Sequence, residues 1–206
     1  DTLFPLQGAL GYDLAQNLLV GPYNLIVEGS SDLVYLQLVG AHLSSKGRTG
    51  LDSRCTIVPV GGAEKVPTFV ALLGSHVDAT VLVDSAKKGN QRLEQLVAEG
   101  ILKRQRVIGV GEISSAVEAD IEDLFEPSEY LALFNGAFGT KFKVTELTGS
   151  DPIVRRLARL QQVDRFDHGR PAAALLRNKG DLLEKLSEAT LARFERLFAR
   201  VNATFG

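Results

Sequence analysis

The sequence predicts an α/β fold: a parallel sheet flanked by helices, with a helical part at the C-terminal end. Four short apolar runs, at residues 25–27, 56–60, 79–83 and 107–110, alternate with segments of helical periodicity. The links between them are short, which implies right-handed crossovers within one parallel sheet. From Tyr130 onward the pattern is helical throughout.

The first run, Leu25-Ile26-Val27, follows a Gly21-Pro22 turn and stops at Glu28-Gly29, as a short buried strand should. Ser30 or Ser31 can cap the next helix. Leu33, Leu36, Val39 and Leu43 give that helix one apolar face before Lys46-Gly47 closes it. In the second run Pro59 directs the strand to a sheet edge or a strand end. Gly61-Gly62 then turns into a helix expected over residues 63–75. The third run leads to a helix over 90–99 carrying Leu93, Leu96 and Val97, and the fourth closes the alternation.

Beyond it, residues 111–129 hold seven carboxylates and no Lys or Arg. Gly149-Ser150-Asp151-Pro152 is the clearest break, with Pro152 suited to a helix first turn. It divides the chain into residues 1–148 and a helical subdomain, 149–206. Leu183, Leu186, Thr190, Phe194, Leu197 and Val201 follow steps of three and four, predicting a last helix with Arg193, Arg196 and Arg200 on its polar side.

Composition narrows the function classes. With 206 residues and 45% apolar content the chain can bury a sizeable core, which excludes wholesale disorder. No apolar stretch reaches the roughly 20 residues of a membrane span and no basic secretory start is present. A soluble, cytoplasmic protein is therefore expected. The single cysteine, Cys55, has no partner for a disulfide or a zinc site and reads as a structural thiol. No methionine occurs, so the sequence is expected to be a piece of a longer polypeptide.

The net charge of -2 argues against a uniformly basic nucleic-acid binder. The average hides an asymmetry, however. Residues 1–150 hold 12 Lys/Arg against 18 Asp/Glu, a net of -6, and residues 151–206 hold 11 against 7, a net of +4. The basic part, including Arg155, Arg156 and Arg159, is the one suited to face a polyanion.

The acids carry the chemistry. Glu28 ends the first strand and Asp32 opens the helix after it; Asp84 ends the third strand within Asp84-Ser85-Ala86-Lys87-Lys88-Gly89. In open α/β sheets ligands bind outside the carboxyl ends of the strands. Acids delivered there from separate strands, joined by Asp120-Ile121-Glu122-Asp123, can hold a divalent cation for phosphoryl transfer. Gly29 is expected to allow close ligand approach, and the helix N-terminus beside it favours a phosphate. His42 and His76 read as surface or capping residues.

Together these pieces resemble the Toprim domain, whose hallmarks are a glutamate after the first strand and Asp-x-Asp-x-x-Gly after a later one. Glu28 matches the first and Asp84 opens the second, with Ala86 where the second aspartate would stand. A finer resemblance, over nearly the whole chain, is to the nuclease region of OLD-family (overcoming lysogenization defect) proteins. It rests on Phe4-Pro5-Leu6-Gln7-Gly8-Ala9-Leu10-Gly11-Tyr12-Asp13, Val27-Glu28-Gly29-Ser30-Ser31-Asp32-Leu33, and Val58-Pro59-Val60-Gly61-Gly62. It rests also on Ile121-Glu122-Asp123-Leu124-Phe125 with Tyr130 downstream, and on Phe194-Glu195-Arg196-Leu197-Phe198.

The resemblance implies that residues 1–148 form a Toprim-like catalytic domain that cleaves DNA as a Mg²⁺- or Mn²⁺-dependent endonuclease. Two ions would be divided among Glu28, Asp32, Asp84, Asp120 and Glu122, the acidic segment compensating for Ala86. In an extended segment Asp120 and Glu122 share a face, whereas a helical one favours Asp123. Glu28 and Asp84 act at the reacting centre, assisted by a basic residue: Lys179, Arg170 or His168. The implied partners are DNA and an N-terminal ABC-type ATPase region of the same polypeptide, with a homo-oligomer in the full-length protein and no membrane. Other readings are a topoisomerase-like or primase-like Toprim enzyme, or a non-catalytic phosphate- or nucleotide-binding module. None of Tyr12, Tyr23, Tyr35 and Tyr130 lies in a motif suited to a nucleophile.

Overall fold

A computed structural model describes residues 21–73, 78–84 and 90–205. The segment Phe4 to Asp13, His76, and the stretch Ser85 to Gly89 with Ala86, Lys87 and Lys88 lie outside the described residues.

Strands β1 (Tyr23–Val27), β2 (Cys55–Pro59), β3 (Ala79–Val83) and β4 (Val107–Gly109) form one parallel sheet in the order β2-β1-β3-β4. Pro59 is the last residue of an edge strand, where its missing N–H costs no ladder bond. The chain leaves β1 toward β2 on one side and returns to β3 on the other, so the topological switch point lies between β1 and β3. Glu28 and Asp84 follow the last residues of those two strands.

Alternation along the strands sorts side chains to two faces. Leu25, Val27, Leu82 and Ile108 pack against Tyr35, Leu36, Val39 and Leu43 of helix α1 (Ser30–Ser45). Ile26, Ala79, Val81 and Val83 pack against α2 (Val66–Leu73) and α3 (Asn90–Ala98). The helix expected over 63–75 begins as a 3₁₀ turn, Ala63–Lys65. The fourth strand stops one residue early: Val110 starts the short helix α4 (Val110–Ser114), because the Glu112 carboxylate accepts the Gly109 N–H and closes a helical turn there.

The remaining helices are α5 (Pro127–Phe138), α6 (Ile153–Gln161), α7 (Gly169–Arg177), α8 (Lys179–Leu183) and α9 (Glu188–Asn202). Pro152 precedes α6 as its cap instead of sitting in the first turn. The apolar stripe from Leu183 to Val201 is divided between α8 and α9, because Ser187 starts a new helix by accepting the Thr190 N–H at 3.2 Å. Phe194, Leu197, Phe198 and Val201 of α9 join the hydrophobic cluster that contains Leu25 and Val27. Among the described residues no helix is long and apolar enough to cross a membrane.

The arginines of α9 are occupied. Arg193 donates to the Leu124 carbonyl at 2.8 Å and pairs with Glu126 at 2.6 Å; Arg196 donates to the Ile113 carbonyl at 3.2 Å and Arg200 to that of Gln105 at 3.0 Å. Arg193 and Arg196 tie this helix to the acidic segment after β4, and Arg200 ties it to the turn before that strand.

Candidate metal centre

The site is built where β1 and β3 end. Glu28 Oε1 accepts the backbone N–H of Asp84 at 3.0 Å, which locks together the two strand ends flanking the switch point. The turn after β2 closes over Glu28: its carbonyl accepts the N–H groups of Gly61 at 2.9 Å and Gly62 at 2.7 Å. Gly62 has φ +136°, and a Cβ there would stand 2.6 Å from Glu64 Oε1, so this turn requires glycine. Gly29 does not: it is extended at φ −135° and a Cβ would meet ordinary contacts.

A cleft of about 580 Å³ opens here. Glu28, Glu64 and Asp84 line one part of it, and Arg155, Arg165 and His168 line another. Asp32, Asp120 and Glu122 do not line it, but all three lie within electrostatic reach of Asp84. Asp84 is pushed up to about 10 by burial first and then by Glu28, Asp120, Glu122 and Asp32. Asp32 is raised to about 7 by burial and Glu122, and Asp120 to about 7 by burial, Glu122 and Asp123. Burial, then Glu64 and Glu122, also raise Glu28 against the opposing hydrogen bond from Asp84. Burial raises each carboxyl most, and the neighbouring acids add to it.

Asp32 serves its helix as well. Its Oδ2 accepts the Gly29 N–H at 2.9 Å, so the helix is capped from Asp32 and not by the hydroxyl of Ser30 or Ser31. The segment around Glu122 is a 3₁₀ turn, Ile121–Leu124, anchored by the buried side chains of Ile121, Leu124 and Phe125. A helical segment was expected to favour Asp123 as the ligand. Instead both Asp123 oxygens are spent, Oδ2 on the Asp120 N–H at 2.9 Å and Oδ1 on the Ile153 N–H at 2.8 Å. Asp123 clips the acidic segment to α6, leaving Asp120 and Glu122 to face the other acids.

Glu122 is 2% exposed, and its Oε1 has no hydrogen bond of good geometry. The nearest basic side chain is His168, whose Nδ1 stands 3.2 Å away. For His168 burial disfavours the charged ring, yet Glu122, Asp120 and Asp32 outweigh it and raise its pKa. Phe166 stacks on the imidazole at 4.8 Å and holds it in the cleft. Of the three basic candidates the structure brings only His168 to the cleft wall. Arg170 lies 4.2 Å over the Phe138 ring and donates to the Ala137 carbonyl, and Lys179 is exposed at the start of α8.

Glu64 and Arg165 were not singled out from the sequence. The signal for Glu64 was present: it follows a Gly-Gly turn directly after a strand. As placed, no three His, Cys, Asp or Glu side chains among the described residues converge tightly enough to hold a metal ion. The donor chemistry nevertheless fits a hard divalent cation, since the set is all carboxylate and includes a buried oxygen with no hydrogen bond. Uptake requires the acids to draw together.

No family model and no curated protein matches this sequence. Among solved structures the chain is similar to the C-terminal region of the Burkholderia pseudomallei OLD protein, at 15% identity and a TM-score of 0.43, covering 89% of this chain and 98% of that one. At that identity and score the likeness carries no argument about chemistry.

Proposed function

We propose that this chain is the nuclease module of a larger polypeptide and hydrolyses phosphodiester bonds in DNA with Mg²⁺ or Mn²⁺. One observation carries the reading: carboxylates from the ends of β1 and β3 and from the segment after β4 are gathered and buried around the switch point, where burial first and then their mutual charge raise Asp32, Asp84 and Asp120. A buried cluster of that kind is costly for the fold alone. A divalent cation offsets the cost and, when bound, supplies Lewis-acid activation of water and stabilisation of the leaving oxygen.

Glu28, Asp32, Asp84, Asp120 and Glu122 are the residues that would hold two such ions. Glu28 is oriented for this by the Asp84 N–H, and Asp84 delivers its carboxyl from the adjacent strand end. Arg165, His168 and Arg155, the last paired with Glu118 at 2.6 Å, line the cleft beside Asp164 and offer N–H donors suited to a phosphate backbone. A polyanion is attracted by that wall while the acids receive the metal that neutralises them.

The test is nicking of supercoiled plasmid by the purified chain. Cleavage is expected with Mg²⁺ or Mn²⁺ and not in EDTA, and Asp84→Asn should abolish it. Undiminished cutting in EDTA refutes the metal mechanism; metal uptake and DNA binding without cutting favour the non-catalytic module.

A further inference from the structure

The acidic segment rests on two tyrosines that the reading above does not use. Tyr35 lies on α1, three residues after Asp32 and so on the same side of that helix. Tyr130 lies in the first half of α5, eight residues after Glu122. Both are fully buried, and their rings stand 6.4 Å apart, edge to face, around Phe125. The two hydroxyls lie near one another, but neither has a hydrogen-bond partner of good geometry.

Tyr35 Oη and Tyr130 Oη thus lie buried without a partner of good geometry near Glu122, whose Oε1 has only His168 Nδ1, 3.2 Å away and poorly aligned. Among the charges acting on each phenol, that of Glu122 is the strongest, and with burial it raises both. An unmatched buried donor forfeits its hydration with nothing in return, and native proteins carry few of them. Phenylalanine would fill the same space without that cost, and does so at the neighbouring Phe125 and Phe194, which also pack edge to face. Packing accounts for the rings and leaves the hydroxyls unexplained.

We propose that Tyr35 and Tyr130 are positioning residues for Glu122: their hydroxyls donate to its inner carboxylate oxygen and so turn the other oxygen toward the cation held by Glu28 and Asp84. This rests on the metal-centre reading. Two donors at one carboxylate oxygen also fix its side chain, a support that ligating carboxylates commonly have. The arrangement joins α1, which follows Glu28, to α5, which follows the acidic segment. Docking of those helices thereby sets the geometry of the centre.

Tyr35→Phe, Tyr130→Phe and the double variant remove the oxygens and keep the rings. Mn²⁺ affinity is measured by electron paramagnetic resonance, and thermal unfolding is followed in EDTA. The double variant should unfold at or above the wild-type temperature without metal, while its Mn²⁺ affinity falls about tenfold or more, as loss of supporting hydrogen bonds to ligands typically does. Phe125→Leu, which disturbs the same cluster without touching a hydroxyl, should lower the unfolding temperature and leave the affinity within about twofold. Wild-type affinity in the double variant overturns the proposal and leaves the metal centre standing. A double variant that fails to fold assigns the hydroxyls to structure and overturns it too. A wild-type chain that takes up no Mn²⁺ overturns the metal centre itself, and this inference with it.

Discussion

Replacing Asp84 by Asn should stabilise the metal-free protein while destroying its metal site. Asp84 has a folded pKa of about 10 against 3.8 for an ordinary aspartate, through burial and the four surrounding acids. An acid raised in the folded state favours folding fully below its unfolded pKa, and that advantage is lost as pH rises toward the folded one. At pH 7 the unfolded chain releases the proton and the folded chain keeps it. At about 1.4 kcal/mol per tenfold, the span from 3.8 to 7 costs wild type at most about 4 kcal/mol. The buried amide of Asn keeps a desolvation cost of its own, so a gain of about 1–2 kcal/mol is expected, or roughly 2–8 °C in a chain of this length. Thermal unfolding of both proteins in EDTA from pH 4 to pH 9 measures it. The variant should be the less stable near pH 4 and overtake wild type as pH rises, and added Mn²⁺ should raise wild type alone. A variant that is less stable than wild type at pH 8, or a difference independent of pH, refutes the claim that Asp84 is held at the expense of the fold.

Two further outcomes are expected. Mn²⁺ uptake at pH 7 should release about two protons per chain, one from Asp84 and a half share each from Asp32 and Asp120, so affinity rises with pH. Calorimetry in buffers of different ionisation enthalpy measures this, and release of no protons contradicts the clustered carboxyls. For DNA, Arg165→Ala should bind more weakly in Ca²⁺ and flatten the salt dependence by about one in slope, since Arg165 lines the cleft, whereas Arg155 beside it is already paired with Glu118 at 2.6 Å. Arg159→Ala should leave that slope unchanged, because Arg159 is not among the residues lining the cleft and is paired with Asp151 at 2.7 Å; equal slopes in all three proteins would move the DNA path elsewhere.

The four strands, their helices and the acids at two strand ends were legible in the sequence because each is locally encoded. An apolar run bounded by Gly, Pro or an acid specifies a short buried strand, and Glu28 and Asp84 are conspicuous where a buried strand has no packing use for charge. The helical tail was legible in its periodicity but not in its break, since one stripe runs through Leu183 to Val201 and only the Ser187 cap divides it. What tertiary structure decided is which of several chemically equivalent residues meet. His168 reaches the cleft because Phe166 and Glu122 hold it there, whereas Arg170 is drawn onto Phe138. Asp123 is engaged as a backbone clip by the N–H of Ile153, thirty residues on. Glu64 arrives because β2 lies beside β1 and its turn folds over the Glu28 carbonyl. Periodicity and spacing report the nearest turn of chain, whereas strand order and helix docking set the distances between residues far apart in sequence, and a metal site depends on those distances.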